Sequence, residues 1–518
     1  MNGAESVVRT LVAAGIEVCF TNPGTSEMHF VAALDRVPGI RPVLGLFEGV
    51  VAGAADGYGR MAERPAATLL HLGPGLGNAL ANLHNARRAR TPIVNLVGEH
   101  ATYHRACDPP LAMDVEAAAR TVSCWVRVCE DPRHVGADTA EAIAAATAPP
   151  GGIATLILPA DVAWSTGTRP GVPAPREMPR APSGSVIDAA ARALRSGEPA
   201  ALLLSGGALH ADALESAARI AAASGARLLC DTFVPRLARG AGRARVDSVP
   251  YFAEAAVAAL APLRHVVLVG TKPPVAFFAY PGKPSHLLPE GCAVHTLATP
   301  AEDARAALEA LCDVLGARGA APVREARSSP SLPSGPLHPA SAGQALAALL
   351  PEGAIVVDEA ITAAAGLLPA TRGAAPHDWL SLMGGAIGQG MPAATGAALA
   401  CPGRKVVCLE GDGSAMYTIQ SLWTQAREGL DVVNVILANR RYAILQVELA
   451  RVGALAPGQT PGARAADMLE IGRPDLDFVA LARGHGVPGT RATNAEDFGK
   501  QLAAALAEPG PHLIEAVF

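Results

Sequence analysis

No apolar run in this chain approaches the roughly 20 residues of a membrane-spanning helix, although half of its 518 residues are hydrophobic and its mean hydropathy is +0.26. Alanine supplies much of that value. The N-terminus lacks a basic stretch followed by an apolar core, so a secretory leader is not expected. No basic block occurs and the net charge is −5, so neither nucleic acid nor an anionic membrane is an expected partner. The nine cysteines include no CxxC pair. Odd in number and dispersed through a large chain, they read as reduced thiols of a cytoplasmic protein. They do not read as a disulfide framework, a zinc site or a catalytic nucleophile.

What is present is an alternation of β-rich runs and helical stripes. The chain is too long for one ordinary core, and about three domains are expected. In residues 1–165, IEVCF, VLGLF, AATLLH and PIVNLVG read as strands, and SVVRTLVAA and GVVAGAADGYGRMAE as helices. The Pro- and Gly-rich stretch 166–185 reads as an extended linker. Residues 186–315 repeat the pattern, with AALLLSGG, ARLLCD and HVVLVG as strands and ALESAARIAAAS and FAEAAVAALA as helices. A second linker, 316–340, leads into a third block, 341–518. No short-period repeat is visible. The alternation predicts an α/β fold of three doubly wound, mostly parallel sheets covered on both faces.

The third block carries the most informative stretch, Lys405–Tyr442. KVVCLE is strand-like and ends in Gly411-Asp412-Gly413. Ile419, Leu422, Trp423 and Ala426 then form the apolar stripe of a helix, Gly429 is a stop signal, and DVVNVILA is a second strand running to Asn439. One βαβ unit would place Asp412 and Asn439, 27 residues apart, at the carboxyl ends of two parallel strands, where open α/β sheets bind ligands. A carboxylate and an amide oxygen suit a hard cation such as Mg²⁺, which takes its other ligands from water and phosphate. Gly411, Gly413 and Ser414 allow close backbone approach and open a helix whose N–H groups favour a diphosphate. A lone GDG is equally a tight turn with an Asp cap; the Asn at the next strand end favours the ligand.

GDG followed by Asn at this spacing resembles the signature of thiamine-diphosphate enzymes. The resemblance covers essentially the whole chain and points to the pyruvate oxidase, acetolactate synthase and benzoylformate decarboxylase group. It implies a pyrimidine-binding domain (1–165), a central domain (186–315) and a diphosphate-binding domain (341–518). It implies further that Asp412, Asn439 and the carbonyl of Arg441 hold Mg²⁺ against the cofactor's diphosphate. Where the group usually shows two Asn, this chain reads Ala438-Asn439. Thr362 and Tyr442 fall near the diphosphate by the same match. In SLMGGAIGQGMPAATGAAL, the Gly385 carbonyl matches the acceptor for the 4′-amino group, and Ile387 matches the side chain wedged under the cofactor.

FEGVVAGAADGYGR matches the segment whose glutamate, here Glu48, hydrogen-bonds N1′ of the aminopyrimidine and so leads to the C2 ylid. Read alone, Glu48 is a carboxylate favoured by a helix N-terminus. His71, in LLHLGPGLGN, matches an active-site histidine and is the proton-transfer candidate; the glycines after it do not fit GxGxxG. Thr25, in NPGTSE, matches a serine that contacts the substrate carboxylate. Benzoylformate decarboxylase has a second catalytic histidine where this chain reads TKPPVAFFAYPG, so Phe277 and Phe278 are candidate substrate contacts or simply core aromatics.

The shared chemistry is addition of the ylid to a 2-oxo acid and loss of CO₂ to leave an enamine, whose fate the protein decides. The expected function is therefore a 2-oxo acid decarboxylase or carboligase. The alternatives are an acetolactate synthase-like transferase and a catalytically silent binding or regulatory subunit, against which Glu48, Asp412 and Asn439 argue. The resemblance also implies a homodimer or dimer of dimers, with Glu48 reaching a cofactor whose diphosphate another subunit holds. FAD serves some members of the group, but its usual contacts are not visible in 186–315.

Overall fold

A computed structural model describes residues 1–456 and 458–518. The first sheet contains β1 (Val18–Asn22), β2 (Arg41–Leu44), β3 (Ala66–Leu70), β4 (Ile93–Glu99), β5 (Trp125–Val128) and β6 (Ile153–Pro159). They pair in parallel in the order β2-β1-β3-β4-β6-β5. Sheets covered on both faces need strands that are apolar throughout, and β4 and β6 are buried at every position. One polar row crosses this core in register, Thr68 beside Asn95 beside Thr155. The Thr68 hydroxyl donates to Asn95 Oδ1 at 2.7 Å, and Asn95 Nδ2 donates to the Thr155 hydroxyl at 2.9 Å.

The next strands are β7 (Ala200–Leu204), β8 (Arg227–Cys230), β9 (Leu237–Arg239), β10 (Asp247–Ser248), β11 (His265–Val269) and β12 (Ala293–Ala298). The second sheet runs β10-β8-β7-β11-β12 and omits β9. The third sheet is built from β13 (Ile355–Glu359), β14 (His377–Ser381), β15 (Val406–Gly411), β16 (Val432–Ala438), β17 (Gly489–Ala492) and β18 (His512–Val517). Its order is β17-β18-β16-β15-β13-β14, with β9 added antiparallel on the outside of β14. The middle block thus lends a strand to the third sheet. Arg236, just before β9, binds Asp378 of β14 at 2.9 Å and Glu63 of the first block at 3.0 Å.

Counted from their own first strands, the first and third sheets share one order: second, first, third, fourth, sixth, fifth. The helices that follow the second strand in each, Glu48–Ala62 and Gly390–Ala400, pack against one another. They approach so closely that a Cβ at Gly57 would overlap the Ala393 carbonyl, and one at Gly396 the Ala54 carbonyl.

The helix expected from the Ile419 stripe is in two pieces, Asp412–Thr418 and Ser421–Glu428. Ile419 and Leu422 are buried as expected, and Gly429 closes the second piece with φ 62°. The Pro-rich stretches are tied down on the surface: Arg176 donates to the Glu63 carbonyl and Arg324 to that of Gly242, each at 2.9 Å. Among the described residues no helix is long and apolar enough to cross a membrane.

Candidate active site at the carboxyl edges of the first and third sheets

At the edge of the first sheet, β2 ends at Leu44. Glu48 is the first residue of the helix Glu48–Ala62, after an extended Phe47. Its carboxylate is buried and accepts from Asn78 Nδ2 at 2.9 Å. Asn78 belongs to a helix, Leu72–Ala89, that begins directly after His71. The glycines of GPGLGN lie in the first coils of this helix. They serve close approach: a Cβ at Gly75 would lie 3.3 Å from Glu48 Oε1.

His71 is held by two residues of the NPGTSE stretch that the sequence reading did not single out. Its Nδ1 lies 2.8 Å from Oε2 of the buried Glu27 and 3.2 Å from the Ser26 hydroxyl. Glu27 Oε2 also accepts from the Gly24 amide at 2.8 Å, and Oε1 accepts from the Ser26 hydroxyl at 2.7 Å. With Nδ1 engaged, Nε2 is the nitrogen left for a ligand. Thr25 is exposed on the same short turn, Thr25–Glu27. The only sequence signal for Glu27 is the NPGTSE match itself, which drew attention to the hydroxyl.

At the edge of the third sheet, β15 and β16 are parallel neighbours, with Gly411 opposite Leu437. Asp412 and the 439–441 turn are joined directly: Asp412 Oδ2 accepts from the Arg440 amide at 2.5 Å, and Asn439 Oδ1 accepts from the Arg441 amide at 3.1 Å. Burial pushes the Asp412 carboxyl up, against the pull of the Arg440 and Gly413 amides. Tyr442 lays its ring over Gly413, where a Cβ would overlap it, and Ser414 is buried in the same turn. Thr362 stands in the turn Ile361–Ala363 after β13. Ile361 beside it has φ +51° and Arg440 has φ +60°. Positive φ in a β-branched residue is costly and collects at functional turns.

Between these edges lies the loop Gly384–Gly390. Gly385 is exposed with φ +76°, and Ile387 is partly buried. The fully buried Glu359 accepts from the amides of Gly388, Gln389 and Gly390 at 2.6, 2.8 and 2.5 Å. Burial pushes its carboxyl up to about 7, against those three amides. From the first domain, Asn85 Nδ2 donates to the Ala386 carbonyl at 2.7 Å and Asn82 Nδ2 to that of Gly388 at 3.1 Å. Phe277 sits over Gly385: a Cβ there would be 2.9 Å from the Phe277 ring. Phe277 joins Phe233, Tyr251 and Phe278 with ring centroids 4.8–5.9 Å apart. Both Phe277 and Phe278 remain about half exposed.

Two thiamine pyrophosphate enzyme models match the chain, the N-terminal TPP binding domain over residues 1–118 and the C-terminal TPP binding domain over residues 362–516. Together they take in more than half of it, and the chain belongs to the thiamine-diphosphate-dependent enzyme family. A Mycobacterium tuberculosis protein, IlvX, classed by name alone as an acetolactate synthase large subunit, is 57% identical over 100% of this chain and 99% of its own length. Benzoylformate decarboxylase of Pseudomonas aeruginosa is 30% identical over 97% of this chain and 96% of its own. Among solved structures, the thiamine-diphosphate-dependent 4-hydroxybenzoylformate decarboxylase of Rhodococcus jostii RHA1 superposes with a TM-score of 0.86 at 27% identity, covering 99% and 98% of the two chains.

Proposed function

We propose that the chain is an Mg²⁺- and thiamine-diphosphate-dependent enzyme. It removes CO₂ from a 2-oxo acid with an apolar substituent and releases the remainder as an aldehyde or joins it to a second carbonyl. The observation that carries this reading is the junction of Asp412 with the 439–441 turn at the mouths of β15 and β16. One carboxylate, one amide oxygen and one carbonyl are a hard, incomplete donor set, fitted to Mg²⁺ that completes its shell with water and phosphate. Among the described residues no cluster of three or more His, Cys, Asp or Glu side chains offers an alternative cage.

When bound, thiamine diphosphate supplies the electron sink for breaking the bond to CO₂. The chain's own residues then divide the remaining work. Asp412, Asn439 and the Arg441 carbonyl hold the metal. The backbone of Gly411, Gly413 and Ser414, with Thr362 and Tyr442, receives the diphosphate. The Gly385 carbonyl and Ile387 meet the pyrimidine, and Glu48, fixed by Asn78, holds a proton at N1′. His71, fixed by Glu27, moves a proton at the substrate, and Thr25 meets the substrate carboxylate. Phe277 and Phe278 cover the substituent and exclude water.

A second copy of the chain completes the site, bringing its Glu48 to the cofactor of its neighbour. The nine cysteines, all unpaired, suit a reducing cytoplasm. Ligation is the second reading, and one observation favours it: where a proton donor could stand over Gly385, the chain places Phe277. CO₂ release from a panel of aliphatic and aromatic 2-oxo acids, with Mg²⁺ and thiamine diphosphate, tests both. An aldehyde product establishes the decarboxylase, and a hydroxyketone the ligase. Failure to bind the cofactor defeats the reading.

A further inference from the structure

Four of the seven residues of the Gly384–Gly390 loop are glycines, and free glycine backbone samples many conformations. Two of them, Gly385 and Gly388, adopt positive φ. The carbonyls of the loop are gathered by the first domain: Gly384 by His84 at 3.1 Å, Ala386 by Asn85 and Gly388 by Asn82. The Ala386 amide donates to Asn85 Oδ1 at 3.3 Å, and the three amides at the end of the loop are gathered by one side chain. Glu359 takes the three consecutive N–H groups of Gly388, Gln389 and Gly390 on its two carboxylate oxygens. Those of Gln389 and Gly390 are among the otherwise unpaired donors that open the helix Gly390–Ala400. None of these bonds uses the Gly385 carbonyl.

We propose that Glu359 is a positioning residue, whose carboxylate sets the Gly384–Gly390 loop in advance so that the Gly385 carbonyl and Ile387 stand ready for the pyrimidine. This rests on the loop being the pyrimidine site proposed above. Glu359 ends β13 and lies in register with Glu410 of β15. A carboxylate at that strand end could have faced a metal; both oxygens of Glu359 are instead on the loop amides. Glu410 supplies the contrast. It is equally buried and close to Gly390, but it takes none of the three amides, and its Oε1 has no partner.

The test uses the full-length protein with and without cofactor. In the cofactor-free wild type, hydrogen exchange should be slow at the amides of Gly388, Gln389 and Gly390 and fast at Gly385. Equal exchange at all four would overturn the proposal without any variant. Glu359→Gln keeps the size but loses one acceptor oxygen. It should speed exchange at those three amides and weaken thiamine diphosphate binding by about 10- to 100-fold, the effect of losing hydrogen bonds to a charged group. Binding of Mg²⁺ with inorganic diphosphate, which lacks a pyrimidine, should stay within about threefold of wild type, whereas general damage to the fold would weaken both ligands alike. Glu410→Gln should leave the exchange pattern and both affinities near wild type. Wild-type affinity for thiamine diphosphate in Glu359→Gln, or equal loss of both ligands, sinks the positioning role. Should the wild type itself bind no thiamine diphosphate, the assignment of the site fails, while the exchange result still decides whether Glu359 holds the loop.

Discussion

Glu27 holds one nitrogen of His71 and leaves the other for a ligand, an arrangement that fixes both the tautomer and the direction of the ring. Glu27→Gln should preserve the turn but not the tautomer. Turnover is expected to fall by about 10²-fold, the low end of what a positioned acid–base group contributes, with cofactor affinity unchanged; steady-state kinetics beside a cofactor titration checks both. A second residue governs stability instead. His377 is buried, and burial lowers its imidazole to about 4 from an ordinary 6.5. The folded chain therefore keeps it neutral where the unfolded chain takes up a proton. The stability it contributes is intact above pH 6.5 and is lost as the pH falls toward about 4. Across that window the loss should reach about 3 kcal/mol. Thermal unfolding of the wild type and His377→Phe between pH 7 and 4 should show a shallower decline in the variant; parallel curves would remove His377 from the explanation.

Single elements were legible in the sequence where one period and one boundary signal coincided, as in β4, β15, β16 and the helix Glu48–Ala62. The Asp412–Asn439 junction was legible for the same reason, since both residues directly follow strands that are largely apolar. Three things were not. Glu27 acts through the ring it holds, and a carboxylate in a turn looks like any cap. β9 has only three residues and pairs across a domain boundary, so its partner lies outside any local window. The Ile419 stripe continues through a break in the helix because burial of Ile419 and Leu422 does not need an unbroken backbone. Polar residues inside apolar strands are similarly opaque: Thr68, Asn95 and Thr155 are single exceptions in three separate runs, and only register makes them a row. Asn95→Ala should strand the Thr68 hydroxyl, while that of Thr155 keeps Ser123 at 2.8 Å, and cost about 1–3 kcal/mol. Replacing all three together by Val, Leu and Val should cost less than the single change, because no donor of the row is then unpaired and only the part-buried Ser123 loses a partner. Chemical denaturation of both variants decides the point, and an additive result would mean that the row is not a unit.

At the scale of the molecule, the shared strand order of the first and third sheets and the close crossing of their equivalent helices use up one face of each domain. The carboxyl edges that carry Glu48 and Asp412 are bordered by apolar side chains that the chain leaves uncovered. Leu46 is 45% exposed, two residues before Glu48, and Tyr417 is 53% exposed, five residues after Asp412. Tyr103, Met113 and Leu445 add to the same borders. Exposed apolar groups rimming two half-sites are what a partner surface requires, and a second copy can offer each rim to the other in an isologous pair. If a second copy completes the site, as proposed, Leu46→Arg and Tyr417→Arg should each lower assembly and with it cofactor binding. Sedimentation and thiamine diphosphate titration at several protein concentrations should show the two losses moving together, with binding recovering at high concentration. A variant that is monomeric yet binds the cofactor with wild-type affinity would show instead that one chain holds the whole site.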